Sequence, residues 1–233
     1  MITLTTADAL RAADVSRWQI VQTHRPQSVA EHTFGVITIA LGLMDYMQKK
    51  TGIGFSPTQR HQVTMCAFEH DLPEVVTGDF PSPIKRIGAI GSALKEIESG
   101  IHFLSVEDRH YSAETLRLVK SADLIEAVLY LQSCAESPHA IGVLDDLRQR
   151  LHAHSLVAYE FYESICEEAR NPMTMDKLAD MMEEEQQEAE GMRVENDLRV
   201  VSDRPPCSRC SSLGPPPNDN FCKNACRYDG IPF

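Results

Sequence analysis

Apolar residues recur at helical spacing through most of the first 170 positions, while runs that alternate with period two are short and scarce. A chain patterned in this way has to build its core from helix faces, so the expected fold class is all-α. The helix borders are written locally. A short amphipathic helix is expected over 6–13. Ser28 and Glu31 then stand at capping-box spacing, and the helix they open runs toward Lys50 and stops before Gly52. Val29, Val36, Ile39, Ala40, Leu43 and Met47 form its inward stripe, and His32 falls on that stripe. Ser56 and Pro57 supply an N-cap and a first-turn proline for the next helix, whose inner face holds Val63, Cys66, Ala67 and His70. A turn of helix over 73–77 carries Glu74, and residues 77–85, with two prolines and one glycine, read as a rigid loop. Further helices are expected over 88–104, from Ser112 with Leu116, Val119, Asp123, Ala127 and Tyr130 on one face, over 139–170, and over 173–191 with an acidic solvated face.

Size and charge narrow the function. The 233 residues favour one domain with an appendage, and a hydrophobic content of 42% is enough for a sizeable core. The formal net charge of −12 argues against a surface that binds nucleic acid by charge. Neither a signal-peptide pattern nor an apolar run long enough for a bilayer is seen, so a cytoplasmic protein without membrane attachment is expected. Composition changes at Val194, where proline-rich stretches begin, which divides the chain into a body over 1–193 and a Pro/Cys-rich tail over 194–233. The tail holds Cys207 and Cys210, then Cys222 and Cys226, two chelating pairs eleven residues apart. Four thiolates can hold a small structural zinc, but the three-residue spacer of the second pair departs from a zinc ribbon, and an unstructured tail fits equally.

Four ionisable positions fit poorly with a purely structural helical body. His70 and Asp71 are adjacent at the expected end of a helix, where a backbone turn lets both reach one ion. His32 lies on an apolar stripe, where a histidine is more often a satisfied core group than a ligand. Asp123 lies on the inward face of the helix after Ser112, where an ionised carboxylate is costly unless paired or metal-bound. Lys120, one turn earlier, offers the local ion pair as the plainer reading. Taken together, His32, His70, Asp71 and Asp123 give two nitrogens and two oxygens on three helices. That donor set suits a borderline divalent metal such as Mn, Fe, Co, Ni or Zn, and leaves positions open for water or a phosphate oxygen. Glu74 would orient or deprotonate the water or protonate the leaving oxygen, and Lys85 and Lys120 would neutralise phosphate charge.

The order His, His-Asp, Asp resembles the HD superfamily of metal-dependent phosphohydrolases. The resemblance extends over roughly 10–170 and is closer to the bacterial 5′-deoxynucleotidases and the related phage dATP triphosphohydrolases. It is carried by Arg17-Trp18, by Val29-Ala30-Glu31-His32, by the run from His70-Asp71 through Glu74 and Thr77-Gly78-Asp79 to Pro81, Pro83 and Lys85, and by Lys120 and Asp123. An HD-domain helical bundle with a C-terminal Cys-rich tail is thereby implied, although the tail has no counterpart in the family pattern. The resemblance further implies that His32, His70, Asp71 and Asp123 bind the metal and that Glu74 serves the catalytic water or leaving group. Asp79 would accept a hydrogen bond from the sugar 3′-hydroxyl, and Arg17, Lys85 and Lys120 would hold phosphates. Trp18 would pack on the sugar C2′ edge and leave no room for a 2′-hydroxyl. Ile20 would crowd the purine 2-position. Relatives assemble as dimers or larger rings, so a homo-oligomer, dimer or hexamer, is expected.

Three functions follow. The first is hydrolysis of purine deoxynucleotides, foremost dATP to deoxyadenosine plus phosphates, which in a phage-infected cell would deplete dATP in favour of 2-aminoadenine. The second is 5′-deoxymononucleotidase activity with the same residues. The third is a nucleotide-binding adaptor without turnover, suggested by the Cys tail and opposed by the presence of Glu74 and both lysines.

Overall fold

The computed structural model describes residues 2–103 and 110–170. Helices account for most of them. Helix α1 (Thr6–Leu10) is followed by a 3-10 turn (Arg11–Ala13), α2 (Val29–Thr51), α3 (Pro57–Glu69), α4 (Glu74–Thr77), α5 (Ser82–Lys85), α6 (Gly88–Ser99), α7 (Ala113–Cys134), α8 (Pro138–His154) and α9 (Leu156–Arg170). Two short strands, β1 (Ile2–Leu4) and β2 (Ile101–Phe103), pair in parallel with Ile2 opposite Ile101.

Caps set the helix ends as the sequence predicts. Ser28 and Glu31 bond each other's backbone N–H groups, and Ser56 does the same with Gln59. Gly52 ends α2 with φ 73°, a left-handed conformation that a residue with a Cβ adopts only under strain.

Helix α7 is the axis of the bundle. It packs against α2, α3, α8 and α9, and between Thr115 and Cys134 it is buried on nearly every side. A helix apolar over most of its circumference can only sit inside. Ala122, Ile125, Val128 and Leu131 of α7 meet Val36, Ala40, Leu43 and Met44 of α2 and Val63, Cys66 and Ala67 of α3. A second cluster, built from Leu4, Ala12, Val29, Leu72, Val75 and Ile101, joins the strand pair and the 3-10 turn to the chain around Leu72.

Several expected details are corrected. Met44 is fully buried on α2, whereas Ile39 and Met47 are only half-buried. At the start of α7 the inside is taken by Thr115, Leu118, Val119 and Ala122, which turns Leu116 out to 52% exposure. The helix expected over 88–104 stops at Ser99, because Gly100 ends it and the next three residues pair with a strand ninety-nine positions earlier. The loop over 77–85 contains α5, a turn of helix with Pro83 in its first turn. The helix expected over 139–170 is two, since Ser155 leaves the helical conformation and its hydroxyl caps α9 through the Ala158 N–H. The acidic helix over 173–191, the boundary at 193/194 and the four tail cysteines lie outside the described residues.

Candidate metal centre and nucleotide cavity

Helices α2, α3 and α7 each bring ionisable side chains to one point. His32 sits one turn into α2 and is completely buried. His70 and Asp71 follow the last turn of α3, where the backbone turns toward α4 and lets the two adjacent side chains face the same point. Asp123 comes from the middle of α7. His32 Nε2 lies 3.3 Å from His70 Nε2, 3.3 Å from Asp71 Oδ2 and 3.3 Å from Asp123 Oδ1. His70 Nε2 is 3.5 Å from Asp71 Oδ2.

The remaining ring bonds decide what these atoms can do. His70 Nδ1 lies 2.6 Å from the Ala67 carbonyl, which can only accept, so this nitrogen carries the proton and Nε2 presents a lone pair. His32 Nδ1 is 2.5 Å from Glu126 Oε2, a carboxylate that likewise leaves His32 Nε2 facing the cluster. Two imidazole lone pairs and the Asp71 carboxylate therefore face one another, their donor atoms all within 4.8 Å, and Asp123 Oδ1 faces His32 Nε2. Acceptors at this spacing repel unless a cation lies among them, and about 3–3.5 Å between donors is what bonds of about 2.0–2.2 Å to one ion produce. The donor set fits a divalent metal. His32, His70, Asp71 and Asp123 are the residues that could hold it.

Without a metal, protons take its place. Burial works to lower the His32 pKa, but hydrogen bonds to Asp123, Asp71 and Glu126 raise it to about 10. Burial likewise opposes ionisation of Asp71 and Asp123. Asp71 is nonetheless held well below the carboxylate range by His70, His32 and Arg17, and Asp123 is lowered by His32 and Lys120.

Glu74, at the start of α4, stands beside this cluster and is only 3% exposed. Its Oε1 accepts from Lys85 Nζ at 2.7 Å, while its Oε2 is buried with no partner. Burial, with Asp71 and Asp79 nearby, pushes its pKa up to about 8 against the pull of Lys85. Lys85 also reaches Asp79 at 3.5 Å. Arg17 Nη1 bonds Asp71 Oδ2 at 2.5 Å, and its Nε is buried without a partner. Lys120 pairs with Asp123 Oδ2 at 2.6 Å, as a local ion pair would, and the other Asp123 oxygen still reaches His32.

A cavity of about 670 Å³ opens over these groups. Arg17, Trp18, Ile20, Asp79, Lys85, Lys120 and Asp123 line it, and Gly142, Val143, Asp146 and Arg150 of α8 form its far wall. The volume lies in the range of small-molecule sites. Trp18 is delivered by a loop that folds back on the start of α2, with Arg17 N–H donating to the Gln27 carbonyl and Val29 N–H to that of Val15. Trp18 adopts φ 60°, a strained conformation for a bulky residue. It is held by a parallel stack on Tyr130, centroids 5.7 Å apart, and by its indole N–H, which donates to Gln27 Oε1 at 2.7 Å.

All eleven residues singled out in the sequence lie at the metal cluster, beside it, or on the cavity wall. Sequence reading missed Gln27, Glu126 and Glu98. Glu98 on α6 has a buried Oε1 without a partner, within electrostatic reach of Lys85, Asp71 and Asp79. A signal for Glu126 existed, since it stands three residues after Asp123, and so on nearly the same side of α7.

A helical bundle that gathers nitrogen and oxygen donors from three helices beneath a cavity walled with cations defines a metal-dependent phosphohydrolase of the HD type. Comparison with known proteins agrees. The model of a family described as 5′-deoxynucleotidase YfbR-like matches residues 7–104. A dATP triphosphohydrolase of Acinetobacter phage SH-Ab 15497 is 36% identical over 160 residues, 63% of this chain and 77% of that protein. The 5′-deoxynucleotidase YfbR of Escherichia coli O1:K1 / APEC is 30% identical over 131 residues, 49% of this chain and 64% of that protein. Among solved structures, the Cyanophage S-2L HD phosphohydrolase (DatZ) bound to dA and one catalytic Zn2+ ion superposes with a TM-score of 0.60 and 28% identity, covering 74% of this chain and all of that one. The chain belongs to the HD phosphohydrolase family that includes the phage dATP triphosphohydrolases.

Proposed function

We propose that the protein is a dATP triphosphohydrolase, releasing deoxyadenosine plus phosphates, with His32, His70, Asp71 and Asp123 as its metal ligands. The observation that carries this reading is the cluster of His32, His70 and Asp71, whose donor atoms lie within 4.8 Å of one another, with Asp123 Oδ1 3.3 Å from His32 Nε2 and a nucleotide-sized cavity alongside. The relatives named as dATP triphosphohydrolases and the dA- and zinc-bound neighbour support the substrate and the use of a divalent ion. Zinc is the proposed metal on the strength of that neighbour. Cobalt, manganese, nickel and iron are compatible with the same donors.

A divalent cation bound there supplies Lewis-acid polarisation of a phosphoryl oxygen and acidifies water. The chain's own residues do the rest. Arg17, Lys85 and Lys120 line the cavity and offset phosphate charge. Glu74 is held by Lys85 at one oxygen, which leaves the buried second oxygen to take a proton from the attacking water and return it to the departing 5′-oxygen. The phosphorus–oxygen bond to C5′ breaks as the water oxygen bonds to phosphorus. Asp79 accepts from the sugar 3′-hydroxyl, the Trp18 ring closes the space at C2′, and Ile20 lies against the purine.

The experiment is a panel of dNTPs, dNMPs and ribonucleotides with Zn2+, Co2+ and Mn2+, with the products identified. Loss of dATP with triphosphate and deoxyadenosine as products is expected. Orthophosphate from dNMPs with dATP untouched would replace this reading with the mononucleotidase activity that the YfbR relatives suggest.

A further inference from the structure

A hydrogen-bond chain runs behind the metal cluster. The Trp18 indole N–H donates to Gln27 Oε1 at 2.7 Å, Gln27 Nε2 donates to Glu126 Oε1 at 2.6 Å, and Glu126 Oε2 meets His32 Nδ1 at 2.5 Å. The chain is sealed from water, with Gln27 2% exposed, Glu126 8% and His32 fully buried. Its direction follows from its first member. An indole nitrogen can only donate, so the Gln27 carbonyl must face Trp18 and its amide nitrogen must face Glu126. One carboxylate oxygen is then engaged as an acceptor, and the other receives the Nδ1–H of His32, which aims the Nε2 lone pair at the cluster.

The backbone is shaped around this chain. Gly35 interrupts the interior of α2, where glycine is destabilising relative to alanine. A Cβ on it would come within 2.7 Å of Glu126 Cγ and 3.3 Å of Glu126 Oε1. The Glu126 side chain cannot swing away cheaply, because both its oxygens are tied. Gln27 also holds the Trp18 loop through its backbone carbonyl, the acceptor for Arg17 N–H at 2.8 Å.

We propose that Gln27 and Glu126 are positioning residues that set the metal-ligating ring of His32 and the sugar-facing ring of Trp18 against each other through one buried hydrogen-bond chain. This rests on the metal and deoxynucleotide reading given above. Glu126 fixes the tautomer and orientation of His32, a role whose loss in metal sites typically weakens metal binding 10–100-fold. Gln27 passes the same constraint to the strained Trp18, so metal retention and deoxyribose selection share one support.

The test uses the full chain stripped of metal and titrated with Zn2+ against a chromophoric chelator, alongside dATP and ATP kinetics and the Tm of the metal-free protein. Glu126→Gln and Gly35→Ala should each weaken Zn2+ binding about 10–100-fold. Gly35→Ala removes no polar group, so it carries the test if Glu126→Gln does not fold. Gln27→Met should weaken Zn2+ less, raise KM for dATP more than it lowers kcat, and narrow the preference for dATP over ATP. Trp18→Phe, which keeps a ring and loses the N–H, should reproduce that KM effect. A structural role alone would lower Tm and leave Zn2+ affinity and the dATP/ATP ratio unchanged. Folded Glu126→Gln and Gly35→Ala proteins with wild-type Zn2+ affinity would overturn the proposal while leaving the metal reading intact. A wild-type protein that binds no Zn2+ would overturn both.

Discussion

Glu74 gives one oxygen to Lys85 and keeps the other, buried, for a proton. Its folded-state pKa of about 8 lies above the ordinary 4.5. By linkage, the cost of its charge is absent below about 4.5, grows as pH rises, and is complete above about 8. Glu74→Gln should therefore stabilise the metal-free protein at pH 8.5 by roughly 1–3 kcal/mol and leave it unchanged at pH 4.5, read by denaturant unfolding. A bound cation supplies the missing positive charge, so the gap should shrink with Zn2+ present. The same variant should lose about 10²–10⁴-fold in kcat with its metal content intact. A loss of metal instead would move Glu74 from proton carrier to ligand. His32 gives the opposite linkage. It is raised to about 10 in the metal-free chain, so its contribution is full below about 6.5 and fades as pH climbs through 10. At pH 7 the cation must displace that proton, and calorimetry in buffers of differing ionisation enthalpy should report about one proton released per Zn2+ bound.

At the scale of the element, what can be read in advance depends on how local its cause is. The start and end of α2 and the start of α3 follow from Ser28-x-x-Glu31, Gly52 and Ser56-Pro57, because a cap is a contact between near neighbours in sequence. The end of α6 at Ser99 does not, since its cause is the pairing of Ile101–Phe103 with Ile2–Leu4. The break between α8 and α9 is intermediate. Ser155 is a good cap by type, yet apolar residues continue at helical spacing on both sides of it. The deciding fact is that Leu144, Leu147 and Leu151 and then Ala158, Tyr162 and Cys166 both reach the core, α9 packing on α7 and α2. Ser155→Ala removes the hydroxyl that caps Ala158 and should cost about 1 kcal/mol, read as a lower Tm with unchanged metal affinity. A change of oligomeric state or of Zn2+ binding would mean that the break positions more than α9.

For the molecule as a whole, the four proposed ligands are legible in sequence through the His, His-Asp, Asp order shared with the HD phosphohydrolases, since charge on an inward stripe alone left a core histidine and a local Lys120–Asp123 pair open. The support behind them is not, because Gln27, Gly35 and Glu126 are ordinary residues whose meaning comes from distances across α2 and α7. All of these residues precede residue 171, and so does every described residue that lines the cavity. The division proposed at 193/194 then makes a sharp prediction. A chain ending at residue 193 should keep the hydrolase, its dATP preference and one tightly held divalent ion per chain, measured by elemental analysis after dialysis. The 233-residue chain should exceed one ion only through Cys207, Cys210, Cys222 and Cys226. Serine at Cys207 and Cys210 together should then return the count to one with kcat/KM for dATP unchanged. If the chain ending at 193 lost its ion, residues beyond the bundle would be supplying a ligand or holding one in place, and the four donors on α2, α3 and α7 would not be a sufficient metal site.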